Sequence, residues 1–219
     1  MTATLETIAQ SALSSIETVN ASYDVAWMAI GNAIPGDFVE CGVYAGAQAA
    51  VMARAIMDYG GTLHPSDPLH GNQRRVHLFD SFTGIPAGGE HDTEWLAAGH
   101  QPGHSACSLE AVQANMKRWG IDESLLVYHE GMFHETIPIA LRPNICYPWR
   151  IERIALLRLD GDLYESTSVC IQHLYPLVSP GGWVIVDDWD LSGARKAVAE
   201  AVGQFGPVYF QRQPYNICK

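Results

Sequence analysis

Short apolar runs alternate with stretches of helical periodicity along most of this chain, and this alternation limits the folds that it can adopt. Apolar runs of strand length occupy residues 38–41, 76–80, 125–129, 153–159 and 183–187. Parallel strands that are joined by helices form right-handed βαβ units, and their sheet is covered on both faces. The sequence therefore predicts an α/β fold with a mostly parallel sheet.

Helical segments fill the spaces between these runs. Apolar spacing predicts a helix over residues 3–32, which Pro35 and Gly36 end. A chain of 219 residues is long enough for one domain with a substantial core. We therefore expect a single domain over residues 1–219, with an N-terminal helical segment at residues 1–34. The other predicted helices lie at residues 47–60, 108–119, 165–175 and 193–205.

The remaining segments are predicted to be loops. Residues 62–75 are polar, and Pro138 and Pro143 interrupt the segment after the third strand. Residues 81–107 are rich in glycine, proline and histidine, and loops of that length in compact domains are usually functional or disordered. We therefore predict an active-site loop at residues 81–107. The final residues, 207–219, are expected to form a short hairpin.

Composition and charge exclude some classes of partner. The hydrophobic fraction of 47% and the charged fraction of 17% are those of an ordinary soluble protein. The net charge is −11, and lysine and arginine form no cluster. Because nucleic-acid binding needs a positive surface, we expect no nucleic-acid partner. The acidity serves solubility, or it favours a cationic ligand.

The N-terminus and the cysteines indicate the compartment. The first residues carry acidic side chains and lack a basic region followed by an apolar one, so we expect neither a signal peptide nor a membrane partner. The five cysteines form no CxxC pair and no zinc-type spacing. A reduced, cytoplasmic location is therefore predicted.

Acidic residues stand at the ends of four of the five predicted strands. They are Glu40, Asp80, Asp160 and the adjacent pair Asp187 and Asp188. In open α/β sheets, ligands bind in the crevice at the carboxyl ends of the strands. We therefore expect these five carboxylates to lie along one ligand-binding edge.

The turn after the first strand has the sequence ECGVYAG, residues 40–46. Gly42 and Gly46 allow a sharp turn and close approach of the backbone to a ligand, as in nucleotide-binding folds. The spacing differs from G-x-G-x-x-G, and the motif lacks a Walker lysine, which argues against a dinucleotide or a P-loop. A tight strand-to-helix turn without a ligand explains the motif equally well.

Two further strand ends have ligand-binding and structural interpretations. Asp80 is placed to bind ribose hydroxyls, or it caps a helix, and Ser81 supports a turn under both interpretations. Gly131 would let a planar base approach beside Met132 and Phe133. The last two side chains are explained equally well as core residues.

The aspartates at the ends of the fourth and fifth strands predict a metal site. Asp160, Asp187 and Asp188 offer hard oxygen ligands that suit Mg²⁺, Ca²⁺ or Mn²⁺. Two adjacent carboxylates repel each other unless a cation lies nearby. The alternative is that one aspartate caps a helix and another faces water.

Several of these stretches together resemble the macrocin O-methyltransferase (TylF-like) family, which uses S-adenosylmethionine to methylate sugar hydroxyls on antibiotics and related natural products. The similarity runs from about residue 36 to about residue 202. It rests on ECGVYAG, LFDSFTGIP, GMFHETIP, ARKAV and above all IALLRLDGDLYESTSVCIQHLYPLVSPGGWVIVDDW. The resemblance implies a Rossmann-like class I methyltransferase fold, with a seven-stranded sheet whose last strand is antiparallel.

The resemblance also implies roles for residues of this chain. Glu40 and the turn of Gly42 and Tyr44 would hold the methionine part of S-adenosylmethionine. Asp80, with Ser81, would hold the ribose. Two sets complete the site: the adenine region of Gly131, Met132 and Phe133, and the Mg²⁺ ligands Asp160, Asp187 and Asp188, the first of which is also expected to contact the cofactor.

The expected function is Mg²⁺-dependent O-methylation of a sugar or another natural product with adjacent hydroxyls. A metal lowers the pKa of a bound hydroxyl, and a nearby carboxylate can take the proton. Asp160 is the first candidate for this base, and His134 and His104 are the second. A homo-oligomer is a further expectation from the family.

Three alternatives stay open. A catechol-type acceptor also offers two adjacent oxygens to a metal. The sequence DGDLYEST, residues 160–167, has superficial similarity to the aspartyl-phosphate motif of phosphoryl-transfer enzymes. A module that binds the cofactor without turnover is the third alternative.

Overall fold

A seven-stranded sheet forms the centre of the computed structural model, which describes residues 2–60, 73–145, 149–205, 210–212 and 216–218. The strand order is β3-β2-β1-β4-β5-β7-β6. Strands β1 to β5 are parallel, β7 is antiparallel to β5, and β6 is antiparallel to β7. The predicted sheet is therefore confirmed. The strands are β1 Asp37–Cys41, β2 Val76–Asp80, β3 Leu126–Glu130, β4 Ile154–Leu159, β5 Val178–Val186, β6 Phe210–Arg212 and β7 Asn216–Cys218.

Helices connect the parallel strands, as the βαβ pattern predicts. Ser15 and Ser108 begin α2 and α5 by accepting hydrogen bonds from backbone N–H groups of the first turn. Gly120 ends α5 in the left-handed conformation. The helices are α1 Leu5–Ala9, α2 Ile16–Gly31, α3 Ala47–Tyr59, α4 Thr93–Ala97, α5 Leu109–Trp119, α6 Phe133–Ala140, α7 Tyr164–Leu174 and α8 Ser192–Phe205.

The helices cover both faces of the sheet and form two apolar cores. On one face, α1, α2, α3 and α5 pack against strand residues that include Phe38 and Leu78. On the other face, α6, α7 and α8 pack against residues that include Val39 and Leu157. Neighbouring residues of one strand therefore enter different cores, as the pleat of a strand buried on both sides requires. The buried sheet holds the strand ends in fixed relative positions.

The prediction of one helix over residues 3–32 is wrong. The structure contains two helices, α1 and α2, separated by residues 10–15. Thr4 caps α1, and Ser15 caps α2 by accepting from the N–H of Thr18 at 3.3 Å. The second cap starts a new helix, which the apolar spacing alone did not indicate.

The prediction of a loop through Pro138 is also wrong, because Pro138 lies inside α6. Proline removes one backbone donor from a helix. The helix nevertheless continues, since Leu141 N–H donates to the carbonyl of Ile137 at 3.2 Å, and Ile137 and Ala140 are buried. Burial of this face outweighs the missing hydrogen bond.

The predictions for the remaining loops have different outcomes. Residues 81–107 are largely loop but include α4. The predicted hairpin is present as β6 and β7. Most of the predicted polar loop, residues 62–72, lies outside the described residues. In the part of the chain that the structure describes, the longest apolar helix is too short to cross a membrane.

Candidate functional site

A cavity of about 530 Å³ lies at the carboxyl ends of β1 to β5. Pockets of this size hold cofactors and small molecules. Most of the site residues predicted from the sequence line it, and Glu40 does not. Those that do are Gly42, Tyr44, Asp80, Ser81, Gly131, Met132, Phe133, His134, Asp160, Asp187 and Asp188.

Gly42 allows the end of β1 to lie directly against the end of β4. Its φ is +93°, and a Cβ atom there would lie 1.7 Å from the carbonyl oxygen of Asp160. Hydrogen bonds fix this approach, since the N–H of Asp160 donates to the carbonyl of Cys41 at 2.9 Å. Tyr44, in the same turn, also has a positive φ, +47°. The turn brings backbone close to the cavity, as its glycine indicates.

Asp80 holds two loops together at the cavity wall. Its Oδ2 atom accepts hydrogen bonds from the N–H groups of Val43 at 2.6 Å and Tyr44 at 3.3 Å. Its Oδ1 atom accepts from the N–H of Phe82 at 2.8 Å. Asp80 is therefore not a helix cap. It joins the turn after β1 to the loop after β2, and it lines the cavity.

The end of β3 forms the next part of the wall. Gly131 has a φ of +138°, and its N–H donates to the carbonyl of Asp80 at 2.9 Å. Met132 and Phe133 begin α6 and line the cavity. Ser81 donates to the carbonyl of Gly84 at 3.0 Å, which supports the turn predicted there.

Glu40 is fully buried beneath the cavity. Its Oε1 atom lies 3.7 Å from Nε of Arg158, and both side chains have no exposed surface. Burial raises the pKa of Glu40 well above its usual range, and the guanidinium of Arg158 opposes this rise. Glu40 therefore lies beside Arg158 and does not line the cavity.

Asp160, Asp187 and Asp188 lie together, as their positions at neighbouring strand ends predict. One carboxylate oxygen from each lies within 4.8 Å of the others. Asp188 Oδ2 also accepts a hydrogen bond from the N–H of Asp162 at 2.8 Å, so the two acidic turns are linked. The arrangement brings three hard oxygen donors to one point of the cavity, and these donors fit Mg²⁺ or Mn²⁺.

Arg158 is one of the site residues that the sequence did not predict. Its Nη2 atom lies 2.8 Å from Asp187 Oδ1 and 3.1 Å from Asp160 Oδ2. The side chain is fully buried in β4. The position of this arginine inside an apolar strand could have predicted its role, because a buried guanidinium requires carboxylate partners.

The acidic cluster carries more negative charge than Arg158 balances. Three ionised carboxylates and one guanidinium leave two negative charges. Burial, followed by the carboxylates of Asp162 and Asp187, raises the pKa of Asp188 to about 8. Burial and the carboxylate of Asp160 raise the pKa of Asp162 to about 7. One divalent cation would balance the two charges and favour the ionised carboxylates.

The second acid of the DGD sequence has a different place from its neighbour. Asp162 has a φ of +59° and lines the cavity. Leu163, not Asp162, is the residue that precedes α7. Asp162 therefore acts through its backbone N–H, which holds Asp188, and through the negative charge of its side chain.

The candidate histidines occupy different surroundings. His134 lies at the cavity rim, and 68% of its side chain is exposed. The His104 ring packs against Trp95 and His100, with ring centroids 5.7 Å and 4.4 Å away. The structure therefore brings His134, but not the His104 ring, to the cavity.

The N-terminal segment supplies cavity residues that sequence analysis also missed. Ala12, Leu13 and Ser14, between α1 and α2, line the cavity together with Gln48 of α3. The Nε2 atom of Gln48 donates to Ser14 Oγ at 2.8 Å, and its Oε1 atom is buried without a hydrogen-bond partner. Gln48 thus offers a buried acceptor to a ligand with an N–H or O–H group.

Comparison with known proteins agrees with this arrangement. The family model of macrocin O-methyltransferase (TylF) matches residues 18–206. A tetracenomycin-C rhamnosyl 4'-O-methyltransferase of Streptomyces olivaceus is 36% identical over 181 residues, which cover 81% of this chain and 62% of the relative. The mycinamicin III 3''-O-methyltransferase of Micromonospora griseorubida is 33% identical over 177 residues, which cover 78% and 62%. The chain therefore spans less than two thirds of the length of these relatives.

The fold comparison gives the same result. The structure of the O-methyltransferase NovP superposes with a TM-score of 0.76 and 29% identity, over 95% of this chain and 80% of that one. The expected Rossmann-like class I methyltransferase fold is thereby confirmed. On the family match, the sequence identities and this fold, the chain belongs to the macrocin O-methyltransferase (TylF) family.

Proposed function

We propose that this chain is an S-adenosylmethionine-dependent O-methyltransferase that requires Mg²⁺ or a similar cation and acts on a hydroxyl of a glycosylated natural product. One observation carries the proposal: Asp160, Asp187 and Asp188 converge within 4.8 Å in a cavity that the Gly42 turn and Asp80 also line. The names of the relatives, which describe methylation at 4' and 3'' positions of glycosylated antibiotics, support the class of acceptor.

The cofactor would occupy the side of the cavity formed by β1, β2 and β3. In this proposal the backbone turn at Gly42 and Tyr44 holds the methionine part, with Glu40 supporting it from below. Asp80, beside Ser81, accepts hydrogen bonds from the ribose hydroxyls, since a carboxylate has more acceptor sites than the loops occupy. The residues Gly131, Met132 and Phe133 contact the adenine.

The acceptor would occupy the side formed by β4 and β5. When bound there, a divalent cation would lower the pKa of an acceptor hydroxyl. Asp160 takes the proton of that hydroxyl as general base, because among the three clustered aspartates it is the one that packs against Gly42. Arg158 orients Asp160 and Asp187. His134, at the rim, is the second candidate for the base.

Replacement of one metal ligand tests this division of the cavity. We expect Asp188→Asn to lose at least about 100-fold in methyl transfer, since removing a group that stabilises charge in the transition state commonly costs that much. In calorimetric titration, Asp188→Asn should bind S-adenosylhomocysteine with the same affinity as the wild-type chain, because Asp188 lies on the acceptor side.

Asp190→Asn is the matched control, since Asp190 is an exposed aspartate two positions further on. It should retain both activity and cofactor affinity. Wild-type activity in Asp188→Asn, or absence of S-adenosylhomocysteine binding to the unmodified chain at millimolar concentration, would contradict the proposal. Cytoplasmic location, association into a homo-oligomer and a single domain over residues 1–219 stay predictions.

A further inference from the structure

Residues 89–94, which we name the clasp, join the long loop after β2 to the first turn of α7. Asp92 is buried, with 3% of its surface exposed. Its Oδ1 atom accepts from the N–H of Tyr164 at 2.7 Å, and its Oδ2 atom accepts from the N–H of Gly89 at 2.7 Å. Leu163 precedes α7 and provides no side-chain cap. Asp92 therefore supplies the missing cap from a position 72 residues away.

The clasp also holds the first turn of α8. Ser192 Oγ donates to Glu94 Oε2 at 2.5 Å and lies 3.1 Å from the carbonyl oxygen of His91, and the N–H of Ser192 donates to Glu94 Oε2 at 3.2 Å. A Cβ atom on Gly193 would lie 2.1 Å from Asp92 Oδ1. Only glycine therefore lets α8 begin this close to Asp92.

The two helices held by the clasp begin directly after the two acidic turns. The turn after β4 runs from Asp160 to Leu163, immediately before α7. The turn after β5 contains Asp187 and Asp188, and α8 begins at Ser192. The hydrogen bond from the N–H of Asp162 to Asp188 joins these turns. A displacement of either helix start would therefore move the carboxylates.

We propose that Asp92 is a positioning residue that fixes the acidic turns after β4 and β5 and thereby sets the geometry of the metal ligands. That these carboxylates bind a metal rests on the proposed function. Asp92 contacts neither the acidic cluster nor the turn at Gly42 through any bond that the described residues make. Its effect passes through Tyr164 and Gly193. This gives the glycine- and histidine-rich loop a role on the acceptor side of the cavity.

The experiment combines hydrogen exchange with two titrations on the full chain. Asp92→Ala removes both accepted hydrogen bonds. Gly193→Ala leaves Asp92 intact and places a methyl group against its carboxylate. Asp92→Asn keeps an acceptor for Tyr164 but places an amide group near the N–H of Gly89. Glu90→Gln, at an exposed neighbour in the clasp, is the control, since 87% of its side chain is exposed.

Asp92→Ala and Gly193→Ala should speed amide exchange in residues 160–168 and 187–195 and leave residues 42–50 as in the wild-type chain. The Kd for Mn²⁺ should rise about tenfold, the lower end of the effect of groups that support metal ligands. The Kd for S-adenosylhomocysteine should not change. Asp92→Asn should have exchange rates and a Kd for Mn²⁺ between those of Asp92→Ala and the wild-type chain. Glu90→Gln should have the values of the wild-type chain.

The double variant Asp92→Ala with Gly193→Ala gives the sharpest test. Without the carboxylate, the added methyl group has room, so the double variant should bind Mn²⁺ no more weakly than Asp92→Ala alone. If the losses of Mn²⁺ affinity in the two single variants added up in the double variant, this would contradict direct contact between Asp92 and Gly193. Unchanged exchange in Asp92→Ala, or faster exchange with unchanged Mn²⁺ affinity, would overturn the proposal and leave Asp92 as a structural cap.

A parallel loss of S-adenosylhomocysteine affinity would also overturn it, because the whole site would then have been disturbed. If the wild-type chain binds S-adenosylhomocysteine but no Mn²⁺, the proposed metal site fails. Amide exchange would still test whether Asp92 positions the two turns: faster exchange in Asp92→Ala would support it, and unchanged exchange would contradict it.

Discussion

At the scale of single residues, Arg158 is the cation that lies between acidic residues of three neighbouring strand ends. It places one guanidinium beside Glu40 of β1, Asp160 after β4 and Asp187 after β5. A buried charge of this kind is tolerated only when partners compensate it. Removing one member of a buried pair is costly, since the remaining charges lose their partner without returning to water.

We therefore expect Arg158→Met to lower the free energy of unfolding by about 3–5 kcal/mol. Arg150→Met is the control, because the 3.1 Å ion pair of Arg150 with Glu152 is partly exposed and contributes about 0–1 kcal/mol. Urea denaturation of the three chains measures both changes. Equal stability of the two variants would show that Arg158 does not hold the carboxylates.

Gly42 gives a second prediction at this scale. Gly42→Ala should lower the free energy of unfolding by about 3 kcal/mol or more, because a Cβ atom would combine a positive φ with a contact 1.7 Å from backbone. Gly31→Ala, at the end of α2 with nothing within 4 Å of the added atom, should leave stability unchanged or raise it. Thermal unfolding distinguishes the two, and a tolerated Gly42→Ala would contradict close packing of the strand ends.

Sequence reasoning was most successful with residues at strand ends. Asp80, Asp160, Asp187 and Asp188 could be assigned to one edge because parallel strands end together. Glu40 was assigned to the same edge, but it is buried and does not line the cavity. Arg158 and Asp92 were missed, since their roles depend on partners from distant segments. A carboxylate that caps a helix 72 residues away leaves no local pattern.

At the scale of elements, we expect the two acidic turns to couple cation binding to pH. Asp162 and Asp188 have folded-state pKa values of about 7 and about 8. Both are raised above the unfolded value near 3.8, so the folded chain binds more protons between these limits. Without a cation, the contribution of these groups to stability is therefore lost as pH rises through the folded values.

We expect the Tm in chelator to fall between about pH 6.5 and about pH 8.5, and the increase in Tm with Mg²⁺ to be larger at the higher pH. At 100 times its Kd, Mg²⁺ should stabilise by about 2.7 kcal/mol, or roughly 5–10 °C. Differential scanning fluorimetry measures these shifts. Burial lowers the pKa of His129 from 6.5 to about 3, so titration of this residue changes stability only below this range of pH.

A Tm that rises with pH in chelator, or an equal Mg²⁺ effect at both pH values, would contradict this coupling. Ca²⁺ in place of Mg²⁺ is a useful comparison, because Ca²⁺ prefers more oxygen ligands, at longer metal–oxygen distances, than Mg²⁺ does. The smaller shift is expected with Ca²⁺.

Elements were predicted well where periodicity was long and caps were clear. Helix α5 lies where Ser108 and Gly120 place it. The errors have local causes: Ser15 starts a helix inside an apolar pattern that appeared continuous, and burial of Ile137 keeps α6 helical around Pro138. In both cases a cap or a tertiary contact outweighed the pattern along the sequence.

At the scale of the whole molecule, the sheet divides one cavity between two sets of elements. The strand ends of β1, β2 and β3 carry glycine turns and Asp80, and those of β4 and β5 carry the acidic cluster. The long loop contributes Gly84, Ile85 and Ser105 to the cavity wall and the clasp to the helices behind it. The fold and this division follow from the order of the strands.

We expect the identity of the acceptor to depend on the loops around the cavity rather than on the sheet. The family match covers residues 18–206, including residues 87–107 and 143–150, but the motifs that carry the resemblance lie outside both segments. Strand alternation predicts where a ligand binds, but the shape of a loop depends on contacts between distant residues. A screen of glycosides against catechols with labelled S-adenosylmethionine distinguishes the two classes of acceptor.

In the proposed function, the acidic cluster makes methyl transfer depend on a divalent cation. The most direct measurement is transfer of a labelled methyl group from S-adenosylmethionine to a panel of rhamnosylated and related glycosides, with Mg²⁺ and with chelator. We predict transfer to a sugar hydroxyl that chelator abolishes and added Mg²⁺ restores. Transfer that continues unchanged in chelator, with S-adenosylhomocysteine formed at the same rate, would contradict the claim.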